Sequence, residues 1–283
     1  MKSQPTADPI DIALREDIGD GDVTTDFFVD KNRQATARIV ARERAILAGA
    51  ETAAEVFRRI DPAIEVAISH KDGSEINAGD SAMELRGAAR SILKAERVAL
   101  NFLQRLSGIA TMTHKFVEAA ANEHVKILDT RKTTPGLRAL EKAAVVAGGG
   151  ANHRFGLFDM ALVKDNHLAL NAGFDAFAKA VRKFREARPN VQIEVEADTL
   201  EQVHALLEID GIDVILLDNM KPAQIREAVA LGKEKVKFEA SGGVTLKNIR
   251  QIAATGVDYI SIGALTHSPR SIDFSLELTP IAP

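Results

Sequence analysis

From Val125 onward, short β-branched runs alternate with amphipathic helical segments, and this alternation limits the possible folds more than any other feature of the chain. Val125–Leu128, Ala161–Val163, Val191–Val195, Val214–Leu217, Val236–Phe238 and Tyr259–Ile262 read as strands. Between them, Leu137–Ala147, Phe174–Ala187, Leu200–Glu208, Ala223–Leu231 and Leu246–Ala254 carry apolar residues at helical spacing. A strand–helix repeat of roughly 20 to 30 residues builds parallel strands, either fanned into a doubly wound sheet or closed into a barrel. We read an α/β fold with an incomplete (β/α) barrel, short of eight strands.

The chain before Val125 has a different period. Gln34–Ala41 and Ile64–His70 alternate every second residue, and Lys71-Asp72-Gly73-Ser74 offers hairpin turn chemistry before Ser81–Leu85. This predicts an antiparallel α+β unit. Ser91–Ala121 reads as a long helical connection, interrupted near Ser107-Gly108. The tail Ile272–Leu278 alternates again and is expected to complete the N-terminal sheet. The expected division is therefore 1–108 with the tail 270–283, and 109–269 as the barrel.

Composition removes several function classes. With 283 residues, 46% of them hydrophobic, the chain can fill a large core and a smaller one. A formal net charge of -4 gives no general surface for nucleic acid and no polybasic membrane anchor, so any anion site is local. There is no Trp and a single Tyr259, which leaves little for stacking bases. The absence of Cys excludes disulfides, thiolate metal sites and cysteine nucleophiles. No apolar stretch approaches the roughly 18 residues of a membrane span, and the opening lacks a signal-peptide pattern; the expected location is the cytoplasm.

In a (β/α) barrel the residues beyond each strand's C-terminal end line the mouth. Here those positions are polar on strand after strand: Asp129, Arg131 and Lys132, then Lys164, Asp165, Asn166 and His167, then Glu194 and Glu196, then Asp218 and Asn219, then Glu239 and Ser241, and last Gly263. Loops add His153 and Arg154. One such residue is ordinarily a helix cap; six strands converging on one rim form a site. The cations Arg131, Lys132, His153, Arg154 and Lys164 beside Glu196 and Asp218 suit a polyanionic substrate with a cationic intermediate or a metal. Ser241-Gly242-Gly243 before Thr245-Leu246-Lys247, with Gly263-Ala264, is the expected phosphate cradle at a helix N-terminus.

Other motifs are weaker. Gly148-Gly149-Gly150 lacks the Lys-Ser/Thr of a nucleotide loop and reads as a flexible loop. Asp17–Asp22 has the wrong acidic spacing for calcium, with Phe28 where a bidentate Glu is needed, and reads as a cap and turn. His114 and His124 have no second ligand at metal spacing. Ser241 lacks a nucleophile-elbow context.

DTRKTTPGLRALEKAAVVAGGGANHR, FDMALVKDNH, IEVEAD, ILLDN, EASGGV and ISIGALTH, in that order, resemble the quinolinate phosphoribosyltransferases. LREDIGDGDVTTD and AERVALNFLQRLSGIAT extend the resemblance over nearly the whole chain. It implies an open-faced N-terminal sandwich and an incomplete barrel. It also implies a Mg²⁺-dependent reaction of quinolinate with phosphoribosyl pyrophosphate, giving nicotinate mononucleotide, carbon dioxide and pyrophosphate. By this resemblance Arg131, His153 and Arg154 grip the quinolinate carboxylates, helped by Lys132 and Lys164. Glu196 and Asp218 hold the ribose hydroxyls and the metal, while Ser241, Gly242, Gly243 and Gly263 take the 5′-phosphate. Lys132 or a water returns the proton after decarboxylation. Arg97 is implied to come from the partner subunit of a homodimer. Two other readings of the rim stay open: a related barrel transferase such as those encoded with molybdate transporters, and an aldolase- or epimerase-like barrel in which Lys164 forms a Schiff base. A passive anion-binding protein has no use for Glu196 and Asp218 among the cations.

Overall fold

The computed structural model describes residues 8–170 and 173–282. The chain divides into two compact units, Met1–His114 with Thr133–Gly149 and Leu265–Pro283, and Lys115–Lys132 with Gly150–Ala264. It begins with helices α1 (Pro9–Ile18) and α2 (Val23–Phe28), then β1 (Gln34–Ala41), β2 (Ala45–Ile46) and α3 (Ala50–Ile60). Strands β3 (Glu65–Ile68), β4 (Glu75–Ile76) and β5 (Ser81–Ala88) lead into the long helix α4 (Ala89–Ala120).

The alternating series follows as β6 (Lys126–Leu128), α5 (Arg138–Ala147), β7 (Ala161–Val163), α6 (Asp165–Ala169), α7 (Phe174–Ala187), β8 (Ile193–Ala197) and α8 (Leu200–Leu207). It continues with β9 (Val214–Asp218), α9 (Pro222–Gly232), β10 (Lys237–Ser241), α10 (Ile249–Ala253), β11 (Tyr259–Ser261) and α11 (Ala264–His267), and the chain ends in β12 (Phe274–Pro280).

In the first unit the sheet order is β12-β1-β5-β3, all antiparallel. The tail returns as expected, pairing Phe274 with Ala41 and Leu278 with Ala37. Period-two alternation explains the packing: Ala35, Ala37 and Ile39 of β1 are buried, and Phe57 of α3 with Ile92, Ala95, Ala99 and Leu103 of α4 fills the space beneath them. Each large side chain withdrawn from water contributes about 1.5–3 kcal/mol.

Some local expectations are refined and others corrected. Lys71–Ser74 turns as expected, the Ser74 amide donating to the Lys71 carbonyl at 3.0 Å, and β3 pairs antiparallel with β5, but the connection also carries β4, which pairs with β2. Asp72 also accepts hydrogen bonds from the Gly49 and Ala50 amides and so caps α3, whose Gly49 has no side chain to do it. No interruption occurs at Ser107-Gly108. Ser107 is buried and exchanges hydrogen bonds with the Ala48 backbone, and a Cβ at position 108 would lie 2.2 Å from the Arg270 carbonyl oxygen. The glycine serves close approach there, not a break. Gly148 likewise serves close approach: a Cβ there would sit 2.3 Å from the Ala110 carbonyl oxygen. Finally, the helix expected from Leu246 starts only at Ile249, since Asn248 ties the Thr245 amide and the Gly243 carbonyl into a turn. Asp17–Asp22 is the expected cap and turn, with Asp22 accepting from the Thr24 and Thr25 amides.

In the division of the chain, α5 groups with the first unit, where Leu137 and Leu140 pack against the core. The first unit also holds α5 by charge. The buried Glu141 accepts from Arg105 Nη2 at 2.8 Å and from the Thr134 amide at 3.1 Å.

All six strands of the second unit are present and parallel, in the order β6-β11-β10-β9-β8-β7. The order is sequential around a ring, with β6 beside β11 and no ladder between β6 and β7. Ala151 stands at that opening, its amide donating to the Ile127 carbonyl at 2.8 Å and its carbonyl accepting from the Asp129 amide at 3.2 Å. This is the incomplete barrel. Among the described residues no helix is long and apolar enough to cross a membrane.

Candidate active site

Strand register selects which side chains reach the interior. Within β8, Glu194 and Glu196 are two residues apart and point the same way, as Glu239 and Ser241 do within β10. These carboxylates therefore belong to the strands themselves, and β10 continues to Ser241, beyond the apolar run Val236–Phe238. A cavity of about 340 Å³ at the C-terminal ends is lined by Arg131, Lys132, His153, Arg154, Lys164, Glu196, Asp218, Glu239, Ser241 and Ser261. The rim cations and carboxylates read from the sequence thus meet in one place. Gly242 and Gly243 follow β10 beside Asp218: the Asn219 amide donates to the Ser241 carbonyl at 2.9 Å. A Cβ on Gly242, where φ is +87°, would meet the Asn219 side-chain oxygen at 2.2 Å, so only glycine fits. Gly263 lies two residues past β11. Arg97 is exposed on α4 in the first unit and does not line this cavity.

The cations are crowded. Burial, and then the like charge of Arg131, hold the Arg154 guanidinium below its usual pKa, while the charges of Glu194 and Asp159 oppose that shift. Lys164 Nζ donates to Glu196 Oε2 at 3.1 Å across the mouth. Ser261 Oγ donates to Ser241 Oγ at 3.0 Å, and Asn219 Nδ2 to Asp218 Oδ2 at 2.7 Å.

Beneath the mouth lies a buried acid pair. His153 Nε2 is 3.0 Å from Glu194 Oε2 and 3.5 Å from Glu239 Oε2. Burial first, and then the charge of Glu194, hold the Glu239 carboxyl well above the usual carboxylate range. His153, Arg154 and Glu239 also line a second cavity of about 360 Å³ in the same unit.

Two groups among the described residues have donor atoms close enough to hold a metal ion: Glu196, Asp198 and Asp218, and separately His153, Glu194 and Glu239. The first is all oxygen and suits a hard cation such as Mg²⁺. The second stands beside the Arg154 guanidinium, whose charge disfavours a cation there. Asp198 was not among the residues singled out, although Glu194, Glu196 and Asp198 recur at every second position, a period legible in the sequence. The pairing of Glu194 with Glu239, on strands separated by β9, has no local signal.

Comparison with known proteins identifies the family. Family models described as quinolinate phosphoribosyl transferase, N-terminal domain and C-terminal domain, match residues 22–107 and 109–277. A probable nicotinate-nucleotide pyrophosphorylase [carboxylating] of Bacillus subtilis (strain 168) is 46% identical over 265 residues, covering 93% of this chain and 90% of that protein. Quinolinate phosphoribosyltransferase [decarboxylating] 1b of Nicotiana tabacum is 41% identical over 95% of this chain and 81% of its own length. The crystal structure of NadC from Streptococcus pyogenes superposes with a TM-score of 0.91 at 40% identity, covering 96% of each chain. By both domains and by full-length relatives, this chain belongs to the quinolinate phosphoribosyl transferase family.

Proposed function

We propose that the chain transfers a phosphoribosyl group from phosphoribosyl pyrophosphate to the ring nitrogen of quinolinate with loss of the 2-carboxylate. The products are nicotinate mononucleotide, carbon dioxide and pyrophosphate, a step of NAD biosynthesis. One observation carries the reading: Arg154 is partly buried against the like charge of Arg131, in a cavity that also contains Glu196 and Asp218. Two guanidiniums held this close repel each other, and a dicarboxylate offsets that repulsion through paired, charge-assisted hydrogen bonds. An inert anion binder needs no carboxylates opposite.

Each residue then has a task. Arg131 and Arg154, with Lys132 and Lys164, hold the carboxylates and so fix the pyridine ring. As the bond from C1′ to pyrophosphate breaks, positive charge develops on the ribose, and Glu196 and Asp218 stabilise it electrostatically. The pyridine nitrogen supplies the electron pair of the new bond. That nitrogen is now cationic, and the pair left on C2 when carbon dioxide departs lies beside it. Lys132, exposed on the rim, or water supplies the proton to C2. Ser241, Gly242, Gly243 and Gly263 are our assignment for the 5′-phosphate, with Glu196, Asp198 and Asp218 for Mg²⁺. The ion's contribution is to neutralise pyrophosphate charge.

Lys164 as a Schiff-base residue is disfavoured, because its amine is already tied to Glu196. We place the enzyme in the cytoplasm, a reading supported by the bacterial relative.

The test is direct. With quinolinate, phosphoribosyl pyrophosphate and Mg²⁺ the protein should form nicotinate mononucleotide; nicotinate in place of quinolinate should give little. Comparable turnover of both acids would sink the assignment.

We also propose a homodimer in which Arg97 reaches the partner's site, a reading supported by the resemblance and by the exposure of Arg97 on α4. Mixing an Arg97→Ala chain with a Lys132→Ala chain should restore about a quarter of wild-type activity, since a mixed dimer has one site with both residues intact. Confirmed subunit exchange without recovery would place Arg97 in its own chain's function or folding.

A further inference from the structure

We propose that His153 is a positioning residue: a neutral imidazole that sets the direction of Arg154, in place of the direct grip on a carboxylate that the resemblance implies. This deepens the reading of the cavity as a quinolinate site and rests on it for its kinetic arm alone.

The backbone comes first. Residues 151–153 run along the open edge of β6, where the Ala151 amide donates to the Ile127 carbonyl at 2.8 Å and the His153 amide to Asp129 Oδ1 at 2.9 Å. Asp129 is fully buried at the end of β6, two residues before Arg131. One carboxylate therefore ties the segment carrying Arg154 to the segment carrying Arg131.

The ring comes next. The Arg154 amide donates to His153 Nδ1 at 2.7 Å, so Nδ1 presents its lone pair and carries no proton. The proton then belongs to Nε2, which faces Glu194 at 3.0 Å and Glu239 at 3.5 Å. This tautomer is assigned from the hydrogen-bond network. Nδ1 is thus held by the Arg154 amide, and Nε2 lies against two buried carboxyl groups. The side chain is only 8% exposed, so little of it can meet a ligand.

With Nδ1 of His153 holding its amide and its own Nη1 donating to the Met160 carbonyl at 3.3 Å, Arg154 is fixed at both ends. Its remaining donors are directed by that frame.

The test uses the full chain labelled with ¹⁵N-histidine, the His153 signal being assigned by its loss in His153→Gln. Without substrate, and from roughly pH 6 to 8, the ring should be neutral and protonated at Nε2, and added quinolinate should not change that. Protonation of both nitrogens, in the free protein or on adding quinolinate, overturns the proposal. This measurement needs no turnover, so it stands even if the substrate reading fails.

Kinetics give the second arm. His153→Leu should raise the quinolinate KM about tenfold or more, with little effect on the KM of phosphoribosyl pyrophosphate. His153→Asn, whose side-chain oxygen can accept the Arg154 amide, should recover most of that loss. Equal losses in Leu and Asn would show that Nδ1 does not act through Arg154.

Discussion

Arg154→Ala is expected to lower kcat/KM for quinolinate by at least about 100-fold, or about 2.7 kcal/mol of lost transition-state binding. The guanidinium is partly buried beside Arg131 and lines the cavity, so it meets a carboxylate with little water between them. Charge-assisted bonds in such a place are worth more than the same bonds at a surface. Arg154→Lys should recover little, because an ammonium cannot reproduce two parallel N–H groups. The loss should fall on quinolinate: the KM for phosphoribosyl pyrophosphate should change by less than about threefold. Steady-state rates with each substrate varied, and a thermal melt to show that the variant folds, decide the matter. A folded Arg154→Ala protein with ordinary quinolinate kinetics would remove the residue on which the substrate assignment stands.

The second large effect is on stability. Glu141→Ala should lower the unfolding free energy by about 3–5 kcal/mol, the usual cost of stripping one partner from a buried ion pair. Glu141 is wholly buried and accepts from Arg105 through both Nε and Nη2, at 3.2 and 2.8 Å. Its other oxygen accepts the Thr134 amide at 3.1 Å. Removal leaves a mostly buried guanidinium and an amide without their acceptor. Arg105 Nη2 still has the Thr134 hydroxyl and the Thr266 carbonyl, which holds the cost toward the lower end. The urea midpoint should fall while the slope is unchanged. Replacing both members, Arg105→Met with Glu141→Leu, should cost less than Glu141→Ala alone, because no charge is then stranded. A loss below about 1 kcal/mol would mean that water takes over from Glu141.

Elements whose signal is a period were legible in the sequence. The six parallel strands, the two-residue alternation of β1 and the returning tail each have a pattern that burial of one or both faces imposes. Arg131, Lys132, Lys164, Glu196, Asp218 and Ser241 followed, since strand order and strand ends already place them. What escaped depends on contacts between distant residues. Lys71–Ser74 turns as its chemistry predicts, but nothing local shows that Asp72 also takes the amides that start α3. Gly108 reads as a helix breaker until the tail backbone lies against it. Leu137 and Leu140 have ordinary helical spacing, which does not say which core will accept them. Glu194 and Glu239 each look like rim carboxylates, and only their burial side by side in the barrel raises the Glu239 carboxyl above the usual range.

The opening between β6 and β7 has a consequence for solubility. A ring of six strands that lacks one ladder has two free edges, the usual starting points for strand-to-strand aggregation. Both edge strands here are only three residues long, and Ala151 already occupies part of one. Neither offers a template long enough to recruit a foreign strand. The barrel can remain unclosed without becoming adhesive.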